Sequence, residues 1–405
     1  MKVFGAIGAR RGTTVLVLGA ARSAILTQGF RPFFLAAALW AILGIALWIA
    51  MLTTGLAMPS RFDPLTWHIH EMLFGFVMAA VGGFLLTAIP NWTKRPPIAG
   101  AALALLAGLW LLGRIACLVS TFLPAGVAML IDLAFPAALV VTAAREIAAG
   151  RNWRNLPMVL PALVLGTANA LMHLEADGAA VPLGIGWRLG LATTLILISV
   201  ISSRIVPTFT RNWLVKRGAA ALPAASGWID RASLGLLHAG LILWAALPDF
   251  APVGALLLCA AAVNCVRLHR WRGIATRAEP LLLILHVGYG WVIAGSALLG
   301  LSLLGGPIPQ TAALHTLTVG AIGTMILAVM TRATRGHTGR PLSADPATKL
   351  IYIFIGLAAV TRVAAAFAGG WTVPLLVGSA GLWIAAFGGF LWAYGAMLLR
   401  PGAAE

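Results

Sequence analysis

Apolar stretches about as long as a membrane is thick alternate with short polar segments along the whole chain. A helix needs about 20 consecutive apolar residues to cross the hydrocarbon core of a bilayer. Such stretches fall near 33–53, 69–90, 98–118, 124–145, 156–173, 183–206, 229–248, 250–268, 280–301, 310–331, 348–368 and 372–398. The pattern predicts an all-α polytopic membrane protein of about twelve transmembrane helices. Only Pro248-Asp249-Phe250 separates the seventh stretch from the eighth. Residues 1–30 read as a cytoplasmic tail, 31–400 as one transmembrane domain and 401–405 as a C-terminal tail. The longest loop, about 205–228, is too short to be a soluble domain.

The polar positions are sided. All of the 28 Lys and Arg except Arg61, Arg114, Arg188 and Arg362 fall on one side of the predicted bundle, loop by alternate loop. Cytoplasmic loops carry the cationic excess, which places both termini inside. The N-terminal segment has five cations, no acid and only a short apolar run, so it reads as retained, not as a cleaved signal. Composition narrows the class further. Hydrophobic residues make up 60% of the 405 and charged residues 10%, and the mean hydropathy is +0.96. Soluble domains carry roughly 25% charged residues, so a cytosolic enzyme, a disulfide scaffold and a disordered chain are excluded. The net charge of +17 belongs to the loops. No basic run is interleaved with aromatics, and nucleic acid is not a partner. Cys117, Cys259 and Cys265 form no CxxC pair and read as small core residues.

A repeat is visible. His70, Gly75, Thr93, Arg95 and Pro96 share the spacing of His315, Gly320, Thr338, Arg340 and Pro341, which is H-x4-G-x17-T-x-R-P. Both copies start at the outer end of an inward-running span, the second and the tenth. The sixth span shares direction and a polar-aromatic tail, Arg204 to Trp213, but not the histidine. Spans two, six and ten are four apart, which is compatible with a pseudo-threefold arrangement of four-helix units.

Ionisable groups within spans are costly and mark function by default. Six of the eight histidines lie in or at the ends of spans: His68, His70, His173, His238, His286 and His315. Glu71, Asp132 and Glu279 accompany them. His68, His70, His173, His315, Glu71, Asp132, Arg114, Arg188 and Arg362 gather in the outer part of the predicted spans. Several imidazoles and guanidinium groups in a low dielectric suit a buried anionic group that needs nitrogen ligands. Haem has that chemistry, with neutral His as axial ligand and Arg on a propionate. His70, His286 and His315 are the leading ligand candidates, followed by His68 and His173; Arg114 and Arg362 would hold propionates. Asp132 and Glu71 are the candidates to pass protons, and Asp132 is expected to pair with one of those arginines. On a regular helix, side chains at i and i+2 diverge by about 200°, so His68 and His70 serve one metal only with difficulty. Glu71, next to His70, would face another way. No P-loop, HExxH, GxSxG elbow or CxxCH occurs, so a haem here is not attached in the c-type manner.

Gly29-Phe30-Arg31-Pro32-Phe33-Phe34, Trp67-His68-Ile69-His70-Glu71-Met72-Leu73-Phe74-Gly75-Phe76, Pro90-Asn91-Trp92-Thr93, His315 to Met325 and Gly336-His337-Thr338-Gly339-Arg340-Pro341-Leu342 together resemble the NnrS family, over nearly the whole chain. The resemblance implies a multi-pass protein of the bacterial inner membrane that contains haem and, by report, copper, linked to denitrification and nitric oxide resistance. The layout is also similar in arrangement, not in motif, to haem–copper oxidases; their adjacent His-His pair on one helix is missing.

The expected function is that of a membrane haem protein, with one or two b-type haems and with copper as a further metal, that binds nitric oxide and reduces it to nitrous oxide. Its partners would be nitric oxide, the lipid bilayer and an electron donor such as a quinol or a cytochrome. Two alternatives stay open: a non-catalytic protein that protects by binding nitric oxide or metal, and a transporter with a histidine-lined path.

Overall fold

The computed structural model describes residues 24–401. The tail expected over 1–30 lies outside the described residues up to residue 23, and so does 402–405. The described chain is helical, without strands. Twelve long helices run in chain order as α1 (Phe30–Thr54), α2 (Pro64–Thr93), α3 (Gly100–Leu118), α4 (Val127–Ala149), α5 (Trp153–Ala176) and α6 (Ile185–Val215), α7 (Trp228–Ala246), then α8 (Ala251–Arg270), α9 (Pro280–Leu303), α10 (Gln310–His337), α11 (Pro346–Ala365) and α12 (Gly369–Leu399). Each matches one apolar stretch of the sequence. Eleven are long and apolar enough to cross a membrane. The exception is α7, whose 19 residues have the length but whose Asp230, Arg231 and His238 lower its hydropathy.

The helices close into a bundle because α12 packs on α1. Arg31 on α1 donates from Nη1 to the carbonyls of Met397 (3.0 Å), Leu398 (3.0 Å) and Arg400 (2.8 Å). Those carbonyls lack helical partners at the end of α12, and a cation suits the negative end of a helix. Trp383 Nε1 on α12 donates to Ala41 O at 2.9 Å. Both described termini therefore share one end of the bundle, called the terminal end below; the opposite one is the far end.

The most enclosed spans are α2 and α10, followed by α6 and α9. Between α2, α6 and α10 lies a cavity of about 70 Å³, lined by Phe34, Val77, Ala80, Leu197, Ser202 and Met330 among others.

Both copies of the sequence repeat carry the same local irregularity. His70 ends an α-helical turn and Glu71–Val77 winds as a π-helix. His315 likewise precedes a π-helical stretch, Thr316–Gly323. Such windings are rare and concentrate at functional sites. The repeat glycines explain the local packing. A Cβ on Gly75 would stand 2.4 Å from Trp40 Nε1, and one on Gly320 would stand 2.9 Å from Trp291 Cδ2. Each glycine lets a tryptophan of the preceding span lie against the π-turn.

Candidate metal centre

The start of α2 is fixed by an N-cap. Asp63 accepts from Leu65 N (3.0 Å) and Thr66 N (3.2 Å), with Pro64 opening the helix. One turn later His70 enters the bundle and is fully buried, as is Glu71. The two touch: His70 Nδ1 lies 3.0 Å from Glu71 Oε1. This corrects the expectation that Glu71 faces away. A π-turn advances less around the axis per residue than an α-turn, and the flexible Glu stem closes the remaining gap.

A network grows from this pair. Glu71 Oε2 accepts from Trp40 Nε1 and from Arg114 Nη1, both at 2.7 Å. Arg114 on α3 also donates from Nη2 to Asp132 Oδ1 on α4, the arginine pairing expected for Asp132. Asp132 reaches so close because residue 113 is glycine; a Cβ there would meet Asp132 Oδ1 at 2.6 Å. Asp132 Oδ2 accepts from Asn169 Nδ2 (2.8 Å) and lies 3.2 Å from His173 Nε2 and 3.2 Å from His70 Nε2. His70 Nε2 also meets Asn169 Oδ1 at 2.7 Å.

Both His70 nitrogens face acceptor oxygens, and the Arg114 guanidinium offsets the Glu71 and Asp132 carboxylates. Buried charges persist only when paired and hydrogen-bonded in this way.

Four side chains here can hold a metal ion. His70, Cys117, Asp132 and His173 are all buried, and each offers one ligand atom within 4.8 Å of the others. Cys117 Sγ lies 4.0 Å from His173 Nε2. Two imidazoles, a thiol and a carboxylate suit zinc or copper. The sequence reading missed Cys117, taking it for a core residue. Its spacing from Arg114, one helical turn, was the available signal, and so was that of Asn169 and His173 on one face of α5.

The structure divides the other candidates. His68 points away from His70 and stacks on Trp48, ring centroids 4.8 Å apart. His68, His315 and Arg362 are within electrostatic reach of one another, forming a second cluster at the far end. His315 Nδ1 donates to Thr311 O at 2.7 Å, and the carbonyl forces the tautomer with a free lone pair on Nε2. His68 Nδ1 is buried without a hydrogen-bond partner among the described residues. His286 joins neither cluster: it sits near the terminal end, 2.9 Å from Thr210 Oγ1. His238 bonds Ser199 (2.7 Å), and Arg188 donates to Ala245 O (3.0 Å). Glu279 accepts from Leu281 N (3.2 Å) and Ala344 N (3.1 Å), a capping role.

Fold and site together define a polytopic helical membrane protein with an enclosed, metal-competent centre near one end of its bundle. Of the residues that build the centre, His70 and Glu71 lie within the segments that gave the resemblance. The chain belongs to the NnrS family: the family description, NnrS protein, matches residues 24–401, nearly the whole chain. The comparison with curated proteins gives no match.

Proposed function

We propose that this protein is a haem-containing protein of the bacterial inner membrane that binds nitric oxide at a metal centre and reduces it. Two nitric oxide molecules, two electrons and two protons give one nitrous oxide and one water. The electrons would come from a quinol or a cytochrome. The observation that carries the metal part is the enclosed set of four donors, His70, Cys117, Asp132 and His173.

Packing supports a different group at each cluster. Around the His70 ring, Phe62, His173 and Phe74 stand at centroid distances of 4.6, 5.1 and 5.3 Å. The void beside Phe62 and His173 measures about 10 Å³, room for one water. A porphyrin does not fit there; a single ion does, and copper matches the donors. Binding would displace protons from His70 Nε2 and Cys117 Sγ. Glu71, outside the donor set, is placed to take up a proton, and Arg114 holds both carboxylates in position.

The second cluster holds the side chains that a haem would use. His315 presents a lone pair at Nε2, oriented by its bond to Thr311. Arg362 has no hydrogen bond or ion pair among the described residues and is free for a propionate. His68 is the other imidazole within reach. A haem held there would supply an iron that binds nitric oxide and exchanges single electrons. Nitric oxide is small and neutral, so it reaches the far end of the bundle through lipid.

The test is a metal and haem count on the purified chain, followed by a Soret spectrum with nitric oxide under reducing conditions and a single-turnover assay for nitrous oxide. Colourless, metal-free protein from haem- and copper-replete cells rejects the proposal. A Soret shift without nitrous oxide leaves the second reading, a protective protein that binds nitric oxide without turnover. The internally satisfied hydrogen bonds of His70 and Asp132 favour that reading.

A further inference from the structure

The two repeat copies can be laid side by side, helix by helix, and the comparison shows what the second one lacks. In the first copy, Trp40 of α1 lies against Gly75 of α2; in the second, Trp291 of α9 lies against Gly320 of α10. His70 corresponds to His315, each just before its π-helical stretch. The next span brings an arginine about one turn from its far end, Arg114 on α3 and Arg362 on α11. The donors are therefore retained.

The acceptors are not. Glu71 corresponds to Thr316, whose hydroxyl donates back to Ala312 O (2.8 Å). Asp132 stands early in α4, whereas the start of α12, residues 369–378, holds no carboxylate; Ser379, further in, donates to Ala358 O (2.8 Å). From 310 to 401 the sequence holds one carboxylate, Asp345, which caps α11 at the terminal end. The consequences are visible in the hydrogen bonding. Trp40 Nε1 donates to Glu71, whereas Trp291 Nε1 is buried without a partner among the described residues; so is His68 Nδ1, which α2 of the first copy brings to the same end. Arg114 holds two carboxylates, whereas Arg362 holds none.

Unmet buried donors cost free energy unless something satisfies them. We infer that the cluster of His68, His315 and Arg362, with Trp291 at its repeat-related position, is an anion site whose ligand brings carboxylate groups to stand where Glu71 and Asp132 stand in the first copy. The lone pair on His315 Nε2 lets the same ligand carry a metal. That the ligand is haem, through its propionates, rests on the function proposed above; a free dicarboxylate has the same recognising chemistry.

The experiment uses the full chain produced in haem-deficient cells, titrated with haem, with the dimethyl ester of haem and with succinate. Binding is read from the Soret band and from the melting temperature in detergent. Haem should bind the parent, and its dimethyl ester about tenfold or more weakly, the loss expected for one charge-assisted hydrogen bond. Arg362→Gln should weaken haem by a similar factor and leave the ester unchanged. Thr316→Glu, which restores the missing carboxylate, should also weaken haem, while the isosteric but neutral Thr316→Gln should not; that contrast separates occupancy of the site from misfolding. Succinate that stabilises the parent but not Arg362→Gln identifies the free dicarboxylate as the source. If succinate acts and haem does not, the anion site stands and the haem reading falls. If haem and its ester bind equally to the parent, Arg362→Gln and Thr316→Glu, the inference is overturned while the haem reading survives.

Discussion

His70 and Glu71 are sequence neighbours whose side chains meet at 3.0 Å inside the bundle. On a regular helix they would splay apart. The contact exists because α-helical winding gives way to π-helical winding between them, and it turns a histidine and a glutamate into one polar unit on which the whole centre is built.

That unit sets the first prediction. His173→Ala and Cys117→Ser should each lower the bound metal by tenfold or more, in line with the loss of one direct ligand from a four-donor site; losing an outer partner costs about 10–100-fold. His269→Ala, at an exposed position at the end of α8, should leave the metal content unchanged. Elemental analysis of the three purified variants against the parent decides. Equal metal in all four would remove His173 and Cys117 from the centre.

Arg114 is the charge that allows Glu71 and Asp132 to be buried together. Arg114→Met keeps much of the volume and strands both carboxylates. Breaking a buried pair by removing one partner costs about 3–5 kcal/mol, so the melting temperature in detergent should fall by several degrees or more. Arg114→Lys should recover only part of this, because an ammonium cannot form the guanidinium's bidentate fork. A melting curve of Arg114→Met that overlays the parent's would show that the network does not support the fold.

Much of this was legible in the sequence, and the reasons are physical. The twelve spans follow from hydrophobic length, which the bilayer imposes. The His70 and His315 repeat marked two equivalent places, and both proved to be π-helical. The clustering of histidines at one end followed from counting depth along α2, α5 and α10. What stayed hidden depends on winding and azimuth. The sequence does not announce a π-turn, so Glu71 was assigned to the wrong side of its helix. Cys117 looks like any small apolar residue until α3 is rotated against α5. His286 shares the apolar surroundings of the other candidates, but it lies near the opposite end of the bundle, with Thr210.

Gly75 tests the π-turn directly. A methyl group there would collide with Trp40 Nε1 at 2.4 Å and with Glu71 Oε2 at 2.9 Å. Gly75→Ala should displace Trp40 from Glu71, shift the tryptophan emission and lower metal occupancy. Gly108, which has open space around it, supplies the control: Gly108→Ala should do neither, and should stabilise α3 slightly, by about 0.5–1 kcal/mol. Identical emission and metal content in Gly75→Ala would mean that the Trp40–Glu71 bond plays no part in the centre.

The cavity between α2, α6 and α10 gives the last prediction. A partly open pocket of about 70 Å³ lies here, with an almost wholly apolar lining. The Thr194 hydroxyl is turned away to Gly190 O (2.8 Å), and Ser202 Oγ has no partner among the described residues. A water molecule needs two to four polar partners and finds almost none, so the cavity should be dry, and dry apolar cavities of this kind take up xenon. Xenon under pressure should therefore show one saturable site between the three helices, seen in a crystal or by xenon magnetic resonance. Ala80→Phe and Ser202→Leu, both lining the cavity, should fill it and abolish the site, while Leu105→Phe on the exposed face of α3 should not. Ordered water in the parent cavity, or xenon retained in both filled variants, would show that the space is not the apolar pocket its lining implies.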